Sequence, residues 1–232
     1  MASIDSVQNP GISLEVDRKF LAARVALRPL DYTAIGKNLG HYKAFGQTTA
    51  AVQNAASILG ALRWPDTDKL CVITRVYACI TVVTAVTAQR TDPLLAYITR
   101  GYTVNDATAA TALTITGNNG KMRSEMGSSL LNQGNTPTFN LAVTSAAAGM
   151  SGGTGTDDSN PFGAAAFGAG PALAALGTGL AVTELYRHDR LSDHPPVLIG
   201  NEGIRVRWGT TTLATGTIVC GIGFEWAEVV VY

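Results

Sequence analysis

Residue types able to do chemistry are concentrated in one stretch, Tyr186-Arg187-His188-Asp189-Arg190-Leu191-Ser192-Asp193-His194, which holds two of the three histidines of the chain. Imidazole and carboxylate together suit zinc or a harder divalent ion, so His188, Asp189, Asp193 and His194 are the candidate metal ligands. No further His or Cys stands at a recognised ligand spacing, and the competing reading is a solvated or interfacial loop between strands that holds no cofactor. His188, Asp189 and Ser192 can also be cast as a nucleophilic triad. No serine is expected to stand in a strained G-x-S-x-G elbow that would expose its hydroxyl, which makes this casting the weaker one.

Two glycine-bearing stretches fail as nucleotide sites. Gly117-Asn118-Asn119-Gly120-Lys121 has Ile115 and Met122 where a phosphate loop needs a glycine and a hydroxyl residue, so it reads as a turn. Gly168-Ala169-Gly170 lacks the third glycine of a dinucleotide fingerprint, and no strand leads into it. Cys71, Cys79 and Cys220 are an odd set without C-x-x-C spacing, which points to small buried hydrophobes rather than a disulfide framework or zinc site. The 17 basic residues balance 17 acidic ones, leaving no overall field to draw nucleic acid or an anionic membrane. Only 15% of residues are charged, which points to a surface spent largely against other subunits. No apolar run reaches membrane-spanning length, and no signal-peptide pattern opens the chain. The expected place of synthesis is a cytoplasm, before any assembly step.

The elements that would position these residues are strands. In Thr217 to Glu228, the residues Ile218, Cys220, Ile222, Phe224 and Trp226 alternate with polar or small ones, the period of a strand with one buried face. Pro195 to Trp208 reads as a second strand-bearing segment, with Asn201-Glu202-Gly203 as a tight turn in which Gly203 takes a positive φ. Arg205 and Arg207 share one parity and are expected to face Glu225 or Glu228 across strands. Leu70 to Ala88 is a long β-branched run expected to bulge midway. Further strands are expected at Ile58 to Trp64, Leu94 to Val104, Ala112 to Thr116, Phe139 to Thr144 and Leu180 to Tyr186. No helix-period segment exists to build parallel βαβ units. The expected fold is therefore all-β: an antiparallel β-sandwich of jelly-roll type in residues 47–232. Residues 1–46 read as an extended N-terminal arm, with 31–46 a mixed loop. Residues 150–179 read as a Gly/Ala-rich insertion, either packed on the surface or mobile.

Arg28-Pro29-Leu30-Asp31-Tyr32, Leu62-Arg63-Trp64, Thr116 to Arg123, Pro196-Val197-Leu198 with Asn201 to Arg207, and Phe224-Glu225-Trp226-Ala227-Glu228 follow one another in the chain. In that order they resemble virion structural proteins of tailed bacteriophages whose β-sandwich or jelly-roll chains decorate or cement the head. The resemblance implies a homo-oligomer, commonly a trimer, bound over junctions between major capsid protein subunits on the capsid surface, with no catalytic residues. Arg28, Tyr32, Tyr42, Phe45 and Trp64 are the expected interface residues. Two other readings stand beside it. One is a carbohydrate- or receptor-binding jelly roll that stacks ligand on Trp64, Trp208 or Tyr42; the other is a cupin-type enzyme with a metal on His188 and His194.

Overall fold

Where β-branched and aromatic residues recur at every second position, the chain is extended. The computed structural model describes residues 15–17, 22–24, 38–86, 90–132, 139–169, 182–188, 194–213 and 215–230. Its strands are β1 (Glu15–Asp17), β2 (Ala22–Arg24), β3 (Asn38–Gln47), β4 (Ile58–Trp64), β5 (Leu70–Thr84), β6 (Arg90–Arg100) and β7 (Ala110–Ala112). After a single 3₁₀ turn (Leu130–Asn132) come β8 (Leu141–Thr144), β9 (Thr156–Asp157), β10 (Gly163–Ala169), β11 (Thr183–Arg187), β12 (Val197–Leu198), β13 (Glu202–Trp208) and β14 (Thr217–Val229). Strands β1 and β2 pair with each other in a separate N-terminal unit, Met1–Ala34.

The remaining strands make two antiparallel sheets. One has the order β10-β6-β13-β4-β8-β7, with β9 added to β6; the other has the order β11-β5-β14-β3, with β12 added to β5. The pairing is nested. β3 pairs with β14, β4 with β13, β5 with β11 and β6 with β10, so the first long strand meets the last and the innermost two meet each other. β14 also pairs with β5, and β13 with β6, which rolls the nested ladder into two layers. This is the jelly-roll connectivity. Short β7 and β8 belong to the excursion between β6 and β10 and extend the larger sheet past β4.

Side chains pointing between the layers form one apolar cluster. From β14 it takes Ile218, Cys220, Ile222, Phe224 and Trp226, from β5 Val76, Ala78, Ile80 and Val82, and from β13 Ile204, Val206 and Trp208. Trp64, Trp208, Trp226, Tyr42 and Phe224 are its largest fully buried members. The layers meet where a Cβ at Gly60 of β4 would come within 2.9 Å of Ile222 of β14. Each buried indole N–H finds an acceptor: Lys69 O for Trp64 (2.9 Å), Thr211 O for Trp208 (3.0 Å) and Glu228 Oε1 for Trp226 (3.1 Å). A smaller cluster of Ile58, Ala61, Tyr102, Ala142 and Met150 is also buried. Ala61 lies between the inward Gly60 and Leu62, and the register shift at Val206/Arg207 sets Ile58 opposite the outward Arg207, so this cluster lies on the outer face of the larger sheet.

Several expectations change. Residues 38–46 are not arm or loop but edge strand β3, with Tyr42 only 1% exposed; the glycines that suggested a loop lie beneath side chains, since Cβ atoms at Gly40 and Gly46 would strike the Tyr42 ring and Leu113. Residues 150–169 are no free insertion. Met150 is buried, Thr156–Asp157 pairs with β6, and β10 runs along β6 as an Ala-rich strand. Residues 170–179 lie outside the described residues. The positive φ falls on Asn201 (63°), and Gly203 is already within β13. β5 bulges as expected, with Thr74 the extra residue between Ile73, opposite Trp226, and Arg75, opposite Glu225. Phe224→Ala is expected to lower stability by about 3–5 kcal/mol, read as a fall in the urea midpoint at unchanged m-value. An unmoved midpoint would contradict the packed interlayer.

Candidate functional site

Charge inside this fold collects on the outer face of the larger sheet. The alternation that turns Ile204, Val206 and Trp208 inward turns Arg205 and Arg207 outward, beneath segments 101–109 and 151–157. Arg205 is 3% exposed; its guanidinium donates to Asp106 Oδ2 (2.7 Å) and Oδ1 (3.0 Å), to Gly155 O (2.7 Å) and to Asp157 Oδ1 (3.2 Å). It also stands 4.6 Å from the centre of the Tyr102 ring, whose hydroxyl donates to Asp106. Arg207 approaches Asp157 at 2.5 Å, and Thr99 donates to Asp157 at 2.9 Å. Beside this group, Arg63 donates to Tyr102 O, Asn140 Oδ1 and Asn201 Oδ1. Burial pulls the Arg205 guanidinium down, and the hydrogen bonds and charge of Asp106, with Tyr102 and Asp157, more than offset it, leaving it raised. Burial, with the Asp106 charge, raises Tyr102.

A second buried charge sits at the end of β14. Glu228 is fully buried and accepts from Ser129 Oγ (2.6 Å), Leu130 N–H (3.0 Å) and Trp226 Nε1 (3.1 Å). Burial raises its carboxyl above the ordinary 4.5, and those donors oppose the rise without cancelling it. The arrangement ties segment 127–132 to the end of the roll, helped by Tyr42, whose hydroxyl donates to Gly127 O (3.0 Å). Glu225 is elsewhere, on the outer face of the smaller sheet, paired with Arg75 (3.3 Å), which also meets Glu184 (2.8 Å). Neither acid faces Arg205 or Arg207, because β13 and β14 belong to different layers.

Both clusters are satisfied structural clamps. Arg205 meets the carboxylates of Asp106 and Asp157, and Glu228 is held by three neutral donors. Of the sequence-predicted metal ligands, Asp189 and Asp193 lie outside the described residues. His188 follows β11 and is tied through its main-chain N–H to Thr74 O (2.9 Å), while His194 is exposed before β12. Among the described residues no group of three or more His, Cys, Asp or Glu side chains comes together. The interlayer space that a cupin-type centre would need is filled by the apolar cluster.

The expected interface residues separate. Arg28 and Tyr32 lie outside the described residues. Tyr42 and Trp64 are core residues at 1% and 0% exposure, and Trp208 is 1% exposed, so none of the three can stack a ligand at the surface. Phe45 alone is exposed, at 44%. Burial holds the cysteine thiols up, Cys220 to about 12 and Cys71 well above its ordinary value, as fits inert core residues.

Sequence reasoning passes over Gly149-Met150-Ser151-Gly152-Gly153, which has the letters of a nucleophile elbow. The structure gives it no such context. Ser151 makes a main-chain bridge with Thr108, and no helix follows. Asp106 and Asp157 were missed as partners of Arg205 because both lie on irregular or very short segments whose pairing no periodicity reveals. No family model, no curated protein and no solved structure matches the chain. Fold and site together define an antiparallel jelly roll with a filled interior and hydrogen-bonded buried charge.

Asp106→Ala leaves a buried guanidinium short of its main partner and is expected to cost about 3–5 kcal/mol, with early proteolysis in segment 101–109. Unchanged melting and cleavage would contradict the clamp. For Glu228, a folded value raised above the unfolded one means that the fold favours the protonated acid. The associated stability is present below the unfolded value near 4.5 and is lost as pH rises through the raised folded value. Glu228→Gln is expected to flatten that decline in denaturation midpoints measured across pH; an undiminished decline would contradict the assignment.

Proposed function

We propose that this chain is a non-enzymatic structural protein of a virus particle, of the kind that decorates or cements the head of a tailed bacteriophage. It acts as a homo-oligomer, a trimer, made in the host cytoplasm and seated on the capsid surface across neighbouring major capsid protein subunits. Neither nucleic acid nor membrane is a partner in this reading.

The observation that carries it is the filled roll. Ligand-binding jelly rolls need an interlayer space or an open concave site, and here three tryptophans and their neighbours occupy the interlayer completely enough to be almost inaccessible. Binding capacity is then left to the outer faces and strand edges. A chain with only 15% charged residues suits many weak contacts over a broad footprint, which sum through repetition to near-permanent attachment. Stiffness comes from the nested ladder and the two buried clamps, so little conformational entropy is lost when the protein docks.

In lysates of the producing host, the chain is expected to co-sediment with head-sized particles, and light scattering of the free protein is expected to give three times the 24.2 kDa monomer mass. A chain that stays at the top of the gradient as a monomer would contradict the reading.

A further inference from the structure

Edge strand β3 is covered at its two ends and open between them. Lys43 N–H donates to Gly120 O (2.7 Å), Met122 N–H to His41 O (3.0 Å), and beyond the strand Thr49 N–H donates to Thr144 O (3.3 Å). Thr48 N–H turns the other way, to Cys220 O of β14. Antiparallel pairing alternates, so Phe45 and Gln47 turn their N–H and C=O groups away from β14, with Lys43 and Thr49. Among the described residues these groups of Phe45 and Gln47 have no partner. An uncovered edge of this kind is a template for another strand.

A groove of about 540 Å³ opens on the Phe45 side of the gap, lined in part by Lys43, Phe45, Tyr77, Leu113 and Lys121. The outward parity of β14 here is Gly221 and Gly223, and the rings of Phe45 and Tyr77 lie against them: a Cβ at either glycine would strike the ring above it. The rings are nearly parallel, 9° apart, with centroids separated by 6.1 Å, and Arg75 stands 4.6 Å from the Tyr77 centroid. Phe45 therefore offers the open apolar surface. Neither Lys43 nor Lys121 has a carboxylate partner among the described residues; Lys121 reaches only Asn118 Oδ1 (3.3 Å).

We propose that the gap at Phe45 and Gln47 receives an extended peptide segment of a partner protein, which adds a strand to β3 and places acidic side chains by Lys43 and Lys121 and an apolar one on Phe45. Main-chain hydrogen bonds supply the attachment and the alternating side chains the selection. The inference rests on the assembly reading, since it gives that reading's partner a chemistry, yet the two fail separately.

The probes are the labelled peptide Thr-Glu-Thr-Val-Thr-Glu-Thr, whose acids and valine share one face of a strand as Lys43 and Phe45 do, and its counterpart Thr-Lys-Thr-Val-Thr-Lys-Thr, titrated against the full chain by fluorescence anisotropy. The glutamate peptide is expected to bind about tenfold more tightly, the combined effect of two exposed charge pairs. Because the Gln47 N–H points off the sheet, Gln47→Pro removes an edge donor without breaking the ladder to β14. It is expected to abolish binding at an unchanged melting temperature, whereas Gln47→Ala retains it. Lys43→Glu with Lys121→Glu is expected to reverse the peptide preference. Equal binding of both peptides, binding of neither, or full binding by Gln47→Pro overturns the proposal. Loss of self-association in Gln47→Pro also overturns it, because the gap would then belong to a second copy. Particles that still carry the Gln47→Pro chain would leave the assembly reading standing while removing this one.

Discussion

Everything in this molecule depends on the nesting of strand pairs. β14 holds the middle of that constraint, paired along its length with β3 on one side and β5 on the other, with its inward row of Ile218, Cys220, Ile222, Phe224 and Trp226 packed against the opposing layer. Strands this far apart in sequence pair only after long loops have closed, and the closure entropy is recovered by burying large side chains between the layers. The tryptophans serve this twice over, since each fills volume and sends its N–H to an acceptor on an adjoining turn or strand end. The ends of the roll are thereby fixed by the same residues that fill it.

Two kinds of outer surface follow. The larger sheet has its outer face covered by chain held down through Arg205, Asp106 and Asp157, so that a guanidinium costly to bury is matched by hydrogen-bonded carboxylates. On the outer face of the smaller sheet, Lys43, Phe45 and Gln47 of β3 are exposed. There the glycines of β14 let flanking aromatic rings lie close to the backbone, which makes a low surface with Phe45 exposed at one edge. A filled centre leaves contact with other macromolecules to the outer faces and edges, which is the physical argument behind the proposed role.

Strands buried on one face with regular alternation were legible in the residues. β4, β5, β8, β11, β13 and β14 follow directly from β-branched and aromatic periodicity, and the bulge in β5 from its length. β3 was hidden because Gly40 and Gly46 carry the signature of a loop, although in three dimensions each is a place where a neighbouring side chain needs the room of a missing Cβ. β10 was hidden by its alanines and glycines, which have low strand propensity and gain order from pairing with β6 and from Ala165 in the apolar cluster. The expected partners of Arg205 were wrong for a related reason: parity was read correctly within β13, but the assignment of β13 and β14 to separate layers cannot be inferred from parity. The tryptophans misled as candidate ligand platforms, because an aromatic in an alternating strand has the same pattern whether its face packs inward or meets solvent.

The central claim is that this jelly roll works through its outside while its interior stays filled. An electron cryo-microscopy reconstruction of the native particle, at a resolution that shows side chains, tests it most directly. The account predicts the roll seated on neighbouring protein subunits, with Trp64, Trp208 and Trp226 packed between the layers. Contacts made through an opened interlayer, or density for a small molecule between the sheets, would contradict it.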